Sequence, residues 1–257
     1  MAYLHGKFVW FELMTNDVEK AKAFYSELLG WKIEGVDMGG FTYHMVKNGE
    51  RGVGGMMALQ EKDKMPSSWM SYVSVPDVDA YAKKVTDADG KVLVPAQDIP
   101  KVGRFSVVVD PQGAAFSLFK SASDNGDGDD KPAGTGDFCW NELWTSDDKA
   151  AVKFYKDTFG YTLDEMDMGP MGTYYMLKTG ETARGGMMKS PVPGVPPNWL
   201  PYIGVTDVDG TVDRAKRLGA QITAPPADIP NMGRFAVLTD PTGASIALFQ
   251  PAAAPAA

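Results

Sequence analysis

The apolar positions at the start of the chain switch from a period of two to a period near 3.6 and then back. Phe8 to Met14 form an aromatic-rich, extended run that predicts a strand. Asn16 or Asp17 then caps a helix, which Gly30 ends. One face of this helix carries the apolar residues Val18, Ala21, Tyr25, Leu28 and Leu29. Three more strand-like runs follow, at residues 31–36, 41–47 and 52–58.

The same β-α-β-β-β order is predicted a second time, directly downstream. Residues 69–75 predict a strand, after which Asp77 caps a helix that ends at Gly90. Three short strands follow, at residues 91–94, 105–109 and 114–119. The segment Asp110-Pro-x-Gly113, before the last strand, is typical of a type I turn with proline in its second position.

Residues 6–120 recur, with substitutions, at residues 136–250. The offset is 130 residues at both ends and 131 in the middle, where Pro170-Met171 lengthens a turn. The second repeat predicts helices at 145–160 and 207–219. A period this long exceeds those of solenoids and propellers and indicates two copies of one domain.

The repeat predicts an α+β protein of two tandem domains, at residues 1–120 and 136–250. Residues 121–135 carry no large apolar side chain and are rich in Gly and Asp, which predicts a flexible linker. The Ala/Pro-rich tail at 251–257 is expected to fray. We expect the two domains to pair within one chain, which is consistent with a monomer and leaves further association open.

Composition excludes several classes of partner. The chain has 257 residues, 44% of them hydrophobic, which supports a core in each copy. Its net charge of −8 and the absence of a Lys/Arg cluster argue against nucleic acid and anionic membranes as partners. The sequence shows neither a signal peptide nor a membrane span, and Cys139 is the single cysteine. We therefore expect a cytoplasmic protein with no internal disulfide.

Several motifs stand out in both repeats. In the first they are Asp17, Phe24-Tyr25, the run from Trp69 to Asp77-Val-Asp79, and Asp110-Pro-Gln-Gly113. In the second they are Phe154-Tyr155, Asp207-Val-Asp209 and Asp240-Pro-Thr-Gly243. With these motifs the chain resembles the vicinal-oxygen-chelate superfamily, which includes glyoxalase I, extradiol dioxygenases and bleomycin-resistance proteins. More narrowly, it looks like two-domain bacterial proteins described as glyoxalase-like or hydroxylase.

The resemblance implies that paired βαβββ units form an open eight-stranded curved sheet or partial barrel, with the helices outside. It also implies a ligand cup, often over a divalent metal held by His, Glu or Gln. The positions that match those ligands are Trp10, Met70 and Ser117 in the first repeat and Trp140, Leu200 and Ala247 in the second. Such side chains are poor ligands for the cations this fold uses, so we expect no metal cofactor.

The strand alternation indicates what surrounds the two tryptophans. The residues expected on their face are Phe8, Glu12 and Met14 beside Trp10, and Phe138, Glu142 and Trp144 beside Trp140. A carboxylate among apolar groups is costly to bury unless it is paired or its pKa is raised. Glu12 and Glu142 are therefore candidates for a general base or a polar anchor. The alternative is that Arg104 and Arg234, also repeated, neutralise them.

Further residues are candidates for binding a ligand in the cups. These are Trp10, Met14, Met56, Ser117 and Arg104 in the first repeat, and Trp140, Trp144, Met187 and Arg234 in the second. Methionines supply adaptable apolar linings, and arginines bind anionic groups. Core packing for the tryptophans and methionines, and turn chemistry for the arginines, are the alternatives.

Three hypotheses for the function follow. The chain is a metal-free, glyoxalase-like or bleomycin-resistance-like protein that binds a small, largely apolar or aromatic molecule. Alternatively, it is a lyase, isomerase or hydroxylase of the same superfamily that uses Glu12 and Glu142, or a metal held at other positions. In the third hypothesis its own side chains fill the cups and it acts through its outer surface.

Overall fold

The computed structural model describes residues 4–60, 65–123 and 130–252, and the first repeat contains two βαβββ units. The first unit consists of β1 (Phe8–Thr15), α1 (Val18–Leu29), β2 (Lys32–Asp37), β3 (Thr42–Asn48) and β4 (Arg51–Ala58). The second consists of β5 (Ser68–Ser74), α2 (Val78–Asp87), β6 (Lys91–Ile99), β7 (Gly103–Val109) and β8 (Ala115–Ser121).

The second repeat has the same order of elements. Its first unit consists of β9 (Phe138–Thr145), α3 (Asp148–Phe159), β10 (Thr162–Asp167), β11 (Thr173–Thr179) and β12 (Thr182–Lys189). Its second consists of β13 (Asn198–Gly204), α4 (Val208–Arg217), β14 (Gln221–Ile229), β15 (Gly233–Thr239) and β16 (Ser245–Pro251). A 3₁₀ turn at Gly169–Met171 accommodates the residue that the first repeat lacks.

Short local signals set the helix boundaries. The Asp17 carboxylate accepts a hydrogen bond from the Lys20 backbone N–H at 3.0 Å, so Asp17 is the N-cap of α1. Gly30 ends the helix in the left-handed region at φ 72°, where a residue with a side chain would be strained. Asp77 caps α2 in the same way, but that helix ends at Asp87, earlier than the Gly90 that the sequence indicated.

Each repeat forms one eight-stranded sheet. The strand orders are β2-β3-β4-β1-β5-β8-β7-β6 and β10-β11-β12-β9-β13-β16-β15-β14. Within each first unit the first strand pairs in parallel with the last, which sets Glu12 opposite Gly55 and Glu142 opposite Gly186. The α+β class and the two eight-stranded sheets are as predicted.

The sixth strand of each repeat is longer than predicted. Residues 91–94 are the predicted strand, whereas β6 continues through Pro95 to Ile99. Proline is tolerated because β6 lies at the edge of its sheet, where one side needs no ladder hydrogen bonds. Register shifts between Val92 and Val94 and between Val94 and Gln97 absorb the irregularity.

The chain divides into two compact units that do not follow the repeat boundaries. One unit, called the inner unit because its main segments come from the middle of the sequence, combines Met70–Lys131 with Trp140–Leu200 and includes the segment ending at Val9. The outer unit combines Trp10–Trp69 with the segment that begins at Pro201, and includes Pro132–Cys139. Each unit therefore takes one half from each repeat.

Aromatic side chains dominate the core of each unit. In the inner unit, Tyr155 and Phe159 of α3 stack with ring centroids 5.9 Å apart and pack against Phe116 of β8. In the outer unit, Tyr25 stacks on Trp31 with centroids 5.5 Å apart, and Trp69 meets Tyr25 edge-on. Such rings bury large apolar areas and prefer offset or edge-to-face contact.

Some predictions concern residues beyond the described ranges. The predicted linker includes residues 124–129 and the predicted tail includes residues 253–257, which lie outside them. The domain boundaries at 120 and 136 remain a prediction. Within the described ranges, none of the helices combines the length and the apolar character needed to cross a membrane.

Candidate functional site

A hydrogen-bonded trio of side chains lies on one face of the first unit of the first repeat. The Trp10 indole N–H donates to the Tyr43 hydroxyl at 2.9 Å, and that hydroxyl donates to the Glu12 carboxylate. Trp10 and Glu12 share a face of β1, as the alternation predicted, and Tyr43 reaches them from β3. Glu12 is only 8% exposed, so the tyrosine satisfies part of a carboxylate that has little access to water.

Gly55 makes room for this trio. A Cβ atom on Gly55 would lie 1.9 Å from the Tyr43 hydroxyl oxygen, so any larger residue there would force the tyrosine to move. Gly55 is the register partner of Glu12, so the tyrosine lies over the glycine to reach the carboxylate. We refer to Trp10, Glu12, Tyr43 and Gly55 together as the Trp10 cluster.

The second repeat builds the same arrangement in the Trp140 cluster, which consists of Trp140, Glu142, Tyr174 and Gly186. The Trp140 N–H donates to the Tyr174 hydroxyl at 2.8 Å, and this hydroxyl is hydrogen-bonded to Glu142. A Cβ on Gly186 would again lie 1.9 Å from the tyrosine oxygen. The sequence Gly54-Gly55-Met56-Met57 recurs as Gly185-Gly186-Met187-Met188, and the close approach of the tyrosine explains the second glycine of each copy.

The two clusters differ in one neighbouring residue. Trp144 donates its indole N–H to Glu142 Oε1 at 2.6 Å and is 6% exposed. The equivalent residue of β1 is Met14, which is half-buried and has no N–H group to donate. The carboxylate of the second repeat therefore holds an aromatic donor from its own strand, and that of the first does not.

The electrostatics of the clusters keep both tyrosines protonated. Burial raises the pKa of the Tyr43 hydroxyl well above its ordinary value, and the charge of Glu12 raises it further. Burial and the charge of Glu142 raise the pKa of Tyr174 in the same way. Both hydroxyls are therefore hydrogen-bond donors to their carboxylates throughout the neutral pH range.

The predicted methionine ligands Met56 and Met187 lie on the opposite face. Met56 is the register partner of Leu13 and is fully buried. Met187 is the partner of Leu143 and belongs to the hydrophobic core of the inner unit. Their neighbours Met57 and Met188 instead pair with Met14 and Trp144, because successive strand residues point to opposite faces.

Phe8 and Phe138 pack in the cores, although strand alternation predicted them beside the tryptophans. Phe8 contacts Trp199 in the inner unit with ring centroids 4.8 Å apart. Phe138 stacks on Phe11 in the outer unit at 4.0 Å. The pairing of β1 with β4 begins only at Glu12, and that of β9 with β12 begins only at Glu142. Phe8 and Phe138 precede this pairing, and their positions are set by contacts with other elements.

Arg104 and Arg234 are engaged by aspartates. Arg104 donates from Nε and Nη2 to Asp79 at 2.7 and 2.9 Å and from Nη1 to Asp98 at 3.0 Å. Arg234 forms the same set of bonds with Asp209 and Asp228. The alternative in which these arginines neutralise Glu12 and Glu142 is therefore not realised, because both guanidinium groups form partly exposed ion pairs with aspartates.

Sequence reasoning missed the second role of the Asp-Pro-x-Gly turns. Asp110 accepts hydrogen bonds from the turn N–H groups through Oδ1, and Oδ2 accepts from the Tyr155 hydroxyl at 3.1 Å. The Trp199 indole N–H in turn donates to Tyr155 at 3.1 Å. Burial raises the pKa of Asp110. The outer unit repeats this arrangement: the Trp69 indole N–H donates to the Tyr25 hydroxyl, which donates to Asp240.

These residues do not fit a divalent metal. The indole N–H groups of Trp10 and Trp140 are donors and are used on tyrosines, so neither ring offers a lone pair. Ser117 is fully buried and its Oγ has no hydrogen-bond partner among the described residues, but a lone hydroxyl is a weak ligand. The described ranges contain no group of three His, Cys, Asp or Glu side chains that could hold an ion.

Two small cavities lie away from the clusters. One of about 80 Å³ lies beside Leu28, Thr211 and Arg214 in the outer unit. The other, around Phe116, Tyr155 and Trp199, is closed by its own side chains. Pockets for small ligands usually measure about 300–1,000 Å³. Neither of these two cavities is lined by a residue of the Trp10 or Trp140 cluster.

Comparison with known proteins identifies the family. Residues 7–118 and 139–248 each match the model of the Glyoxalase/Bleomycin resistance protein/Dioxygenase superfamily. The chain therefore belongs to this superfamily, with one matching region in each repeat.

Two relatives match along almost the whole chain. "Putative glyoxylase CFP32" of Mycobacterium bovis is 39% identical over 254 residues, covering 97% of each chain. "Anthracycline biosynthesis protein DnrV" of Streptomyces peucetius is 33% identical over 262 residues, covering 95% of this chain and 93% of the relative.

Solved structures share the fold at low sequence identity. The Mn(II)-bound glyoxalase from Novosphingobium aromaticivorans has a TM-score of 0.66 at 18% identity, over 96% of this chain and 82% of that one. The 2,3-dioxygenase LapB from Pseudomonas sp. KL28 has a TM-score of 0.66 at 13% identity, over 99% and 96%. These similarities support the fold alone.

Proposed function

We propose that the protein binds a small, largely apolar or aromatic molecule, without a metal, on the sheet face that carries its Trp–Tyr–Glu clusters. The observation that carries this proposal is the repeated hydrogen-bonded trio. In it, a half-buried tryptophan donates to a tyrosine hydroxyl, and that hydroxyl donates to a nearly buried carboxylate. Tryptophan and methionine supply apolar contact, and the carboxylate supplies one fixed acceptor.

The chemistry of the trio favours binding over metal-assisted catalysis. A carboxylate with little access to water gains most from a ligand that carries a hydrogen-bond donor, because such bonds are charge-assisted. The names of the relatives, a glyoxylase and an anthracycline biosynthesis protein, both refer to small molecules. The side chains at the family's metal positions are indole, thioether, hydroxyl and alkyl groups, which are unsuited to a divalent ion.

Native mass spectrometry of the protein purified from its own cells tests the proposal. We expect a non-covalent small molecule to accompany the chain, without stoichiometric zinc, nickel, iron or manganese. E12Q and E142Q keep the shape of the side chain and remove its charge, so one or both should lower the occupancy at least about tenfold. E27Q, at an exposed position of α1, is the matched control.

R104Q is a second control, because this guanidinium already binds Asp79 and Asp98. We expect R104Q and E27Q to retain the molecule at the wild-type level. A stoichiometric metal, or a molecule whose occupancy is the same in wild type, E12Q and E142Q, would contradict the proposal.

A lyase, isomerase or hydroxylase activity is the second candidate. The observation that favours it is that Glu12 is a nearly buried carboxylate beside the half-buried Trp10 and Met14. Such a group can act as a general base on a bound carbon acid. In D₂O the captured molecule would then exchange a carbon-bound proton for deuterium with the wild type and not with E12Q. Absence of exchange with the wild type would leave the binding function alone.

A further inference from the structure

The two clusters differ at one position of the first strand. Trp144 donates its indole N–H to the Glu142 carboxylate at 2.6 Å, which makes this a charge-assisted hydrogen bond. Its counterpart on β1 is Met14, whose thioether cannot donate a hydrogen bond. The geometry around the tyrosine and the glycine is otherwise the same in both repeats.

The exposure of the neighbouring apolar surface also differs between the Met14 and Trp144 sites. Met14 and its register partner Met57 are both half-buried, so the apolar surface beside Glu12 remains accessible. In the second repeat Trp144 and its partner Met188 are only 6% and 7% exposed. The indole ring thus covers in the second repeat a surface that is partly open in the first.

We propose that the two sites are not equivalent and that Trp144 is a built-in ligand. Its indole occupies in the second repeat the place that a planar aromatic molecule takes in the first. That molecule carries an N–H or O–H donor directed at Glu12, and its ring lies against the thioethers of Met14 and Met57. Sulfur contacts with aromatic rings are favourable, and the donor bonds the Glu12 carboxylate as the Trp144 indole bonds Glu142. This inference rests on the proposed function and makes it specific: one ligand per chain, in the first repeat.

Equilibrium dialysis with indole, the free form of the Trp144 ring, tests this inference. At saturation we expect one indole per wild-type chain. 1-Methylindole has the same ring system without the donor and should bind at least about fivefold more weakly, because it lacks a hydrogen bond to a carboxylate. M14W should fill the first site and abolish binding. E27Q, at an exposed position of α1, is the control and should retain one indole.

The reverse substitution in the second repeat, W144M, tests the same inference even if M14W does not fold. W144M opens the surface beside Glu142 and should raise the stoichiometry from one indole to two. The inference is overturned if W144M still binds one indole, if M14W binds as wild type does, or if indole and 1-methylindole bind equally. If the wild type binds no indole but carries another molecule from its cells, this inference is wrong and the proposed function stands. A chain that carries no molecule at all loses both.

Discussion

The Tyr43 hydroxyl oxygen lies 1.9 Å from the point that a Cβ atom on Gly55 would occupy. Tyr174 and Gly186 have the same relationship in the second repeat. Each tyrosine can take this position only because its neighbour is glycine. Each tyrosine in turn gives a hydrogen bond to a carboxylate that has little contact with water. One short sequence motif therefore permits the hydrogen bonding of the candidate site.

G55A should displace Tyr43 from Glu12. The added methyl group cannot share space with the hydroxyl, so the tyrosine must move and its hydrogen bonds to Glu12 and Trp10 are lost. We expect a cost of about 1–3 kcal/mol in the free energy of unfolding, from overpacking and lost hydrogen bonds. Urea denaturation followed by circular dichroism measures it.

G52A is the control for this substitution. A Cβ on Gly52, in the same strand, would meet Met45 and Trp10 at ordinary contact distances of 3.5 and 3.6 Å. We expect the unfolding midpoint of G52A to stay close to that of the wild type. Equal losses for G52A and G55A would show that the strand, and not the tyrosine, requires glycine.

Alkaline pH should unfold the protein as its buried tyrosines ionise. Burial raises the pKa of several tyrosines in the described ranges, namely Tyr25, Tyr43, Tyr155, Tyr161 and Tyr174. In the unfolded chain these groups lose their protons near pH 10, whereas in the folded protein they retain them. Stability is therefore fully present below about pH 10, and each tyrosine removes about 1.4 kcal/mol per pH unit above it.

Absorbance at 295 nm, recorded against time after a jump from neutral to alkaline pH, measures this effect. The accessible tyrosines should ionise at once, and the remainder only at the rate at which the far-ultraviolet circular dichroism is lost. Y43F should reduce the slow amplitude by one tyrosine. Immediate ionisation of all the tyrosines while the protein stays folded would contradict the prediction.

The sequence predicted most of the elements and the shared face of Trp10 and Glu12, because the signals for both are local. Helix α1 begins after Asp17 and ends before Gly30, and both signals lie within or next to the helix itself. Alternation along one strand was enough to put Trp10 and Glu12 on the same face. The methionines were harder, because only the register with β4 shows that Met57, and not Met56, is the partner of Met14.

Contacts between distant segments could not be predicted in this way. Tyr43 lies on β3, and nothing in its neighbourhood indicates that it reaches Glu12. One signal was available, since Tyr43 and Gly55 recur together as Tyr174 and Gly186. The Asp110 turn was predicted as a turn only, because its tyrosine partner belongs to the other repeat.

The Tyr25–Asp240 pair should be energetically coupled. Asp240 Oδ2 accepts from the Tyr25 hydroxyl at 2.8 Å, while Oδ1 accepts from Thr242, Gly243 and Ala244 N–H groups of its own turn. Y25F and D240N should each cost about 1–3 kcal/mol. Because both remove the same buried bond, the double variant should cost less than the sum, by about 0.5–3 kcal/mol. Additive losses in urea denaturation would show that this bond contributes nothing.

The tyrosine–aspartate hydrogen bonds between the two repeats predict whether a single repeat dimerises. In the whole chain Tyr25 of the first repeat bonds Asp240 of the second, and Tyr155 of the second bonds Asp110 of the first. A fragment of residues 1–123 contains Tyr25 and Asp110 but neither of their partners. Two copies can supply them reciprocally, each tyrosine bonding the aspartate of the other copy, which is a symmetric, self-complementary interface.

We therefore expect the 1–123 fragment to sediment as a dimer, and Y25F or D110N in the fragment to weaken the dimer by about fivefold or more. Mixing it with a fragment of residues 130–257 should yield a complex of one copy of each, since that pairing reproduces the contacts of the whole chain. Analytical ultracentrifugation distinguishes these species by mass. A 1–123 fragment that is folded and monomeric would contradict the prediction, because it would satisfy Tyr25 and Asp110 without the partners that the full chain gives them.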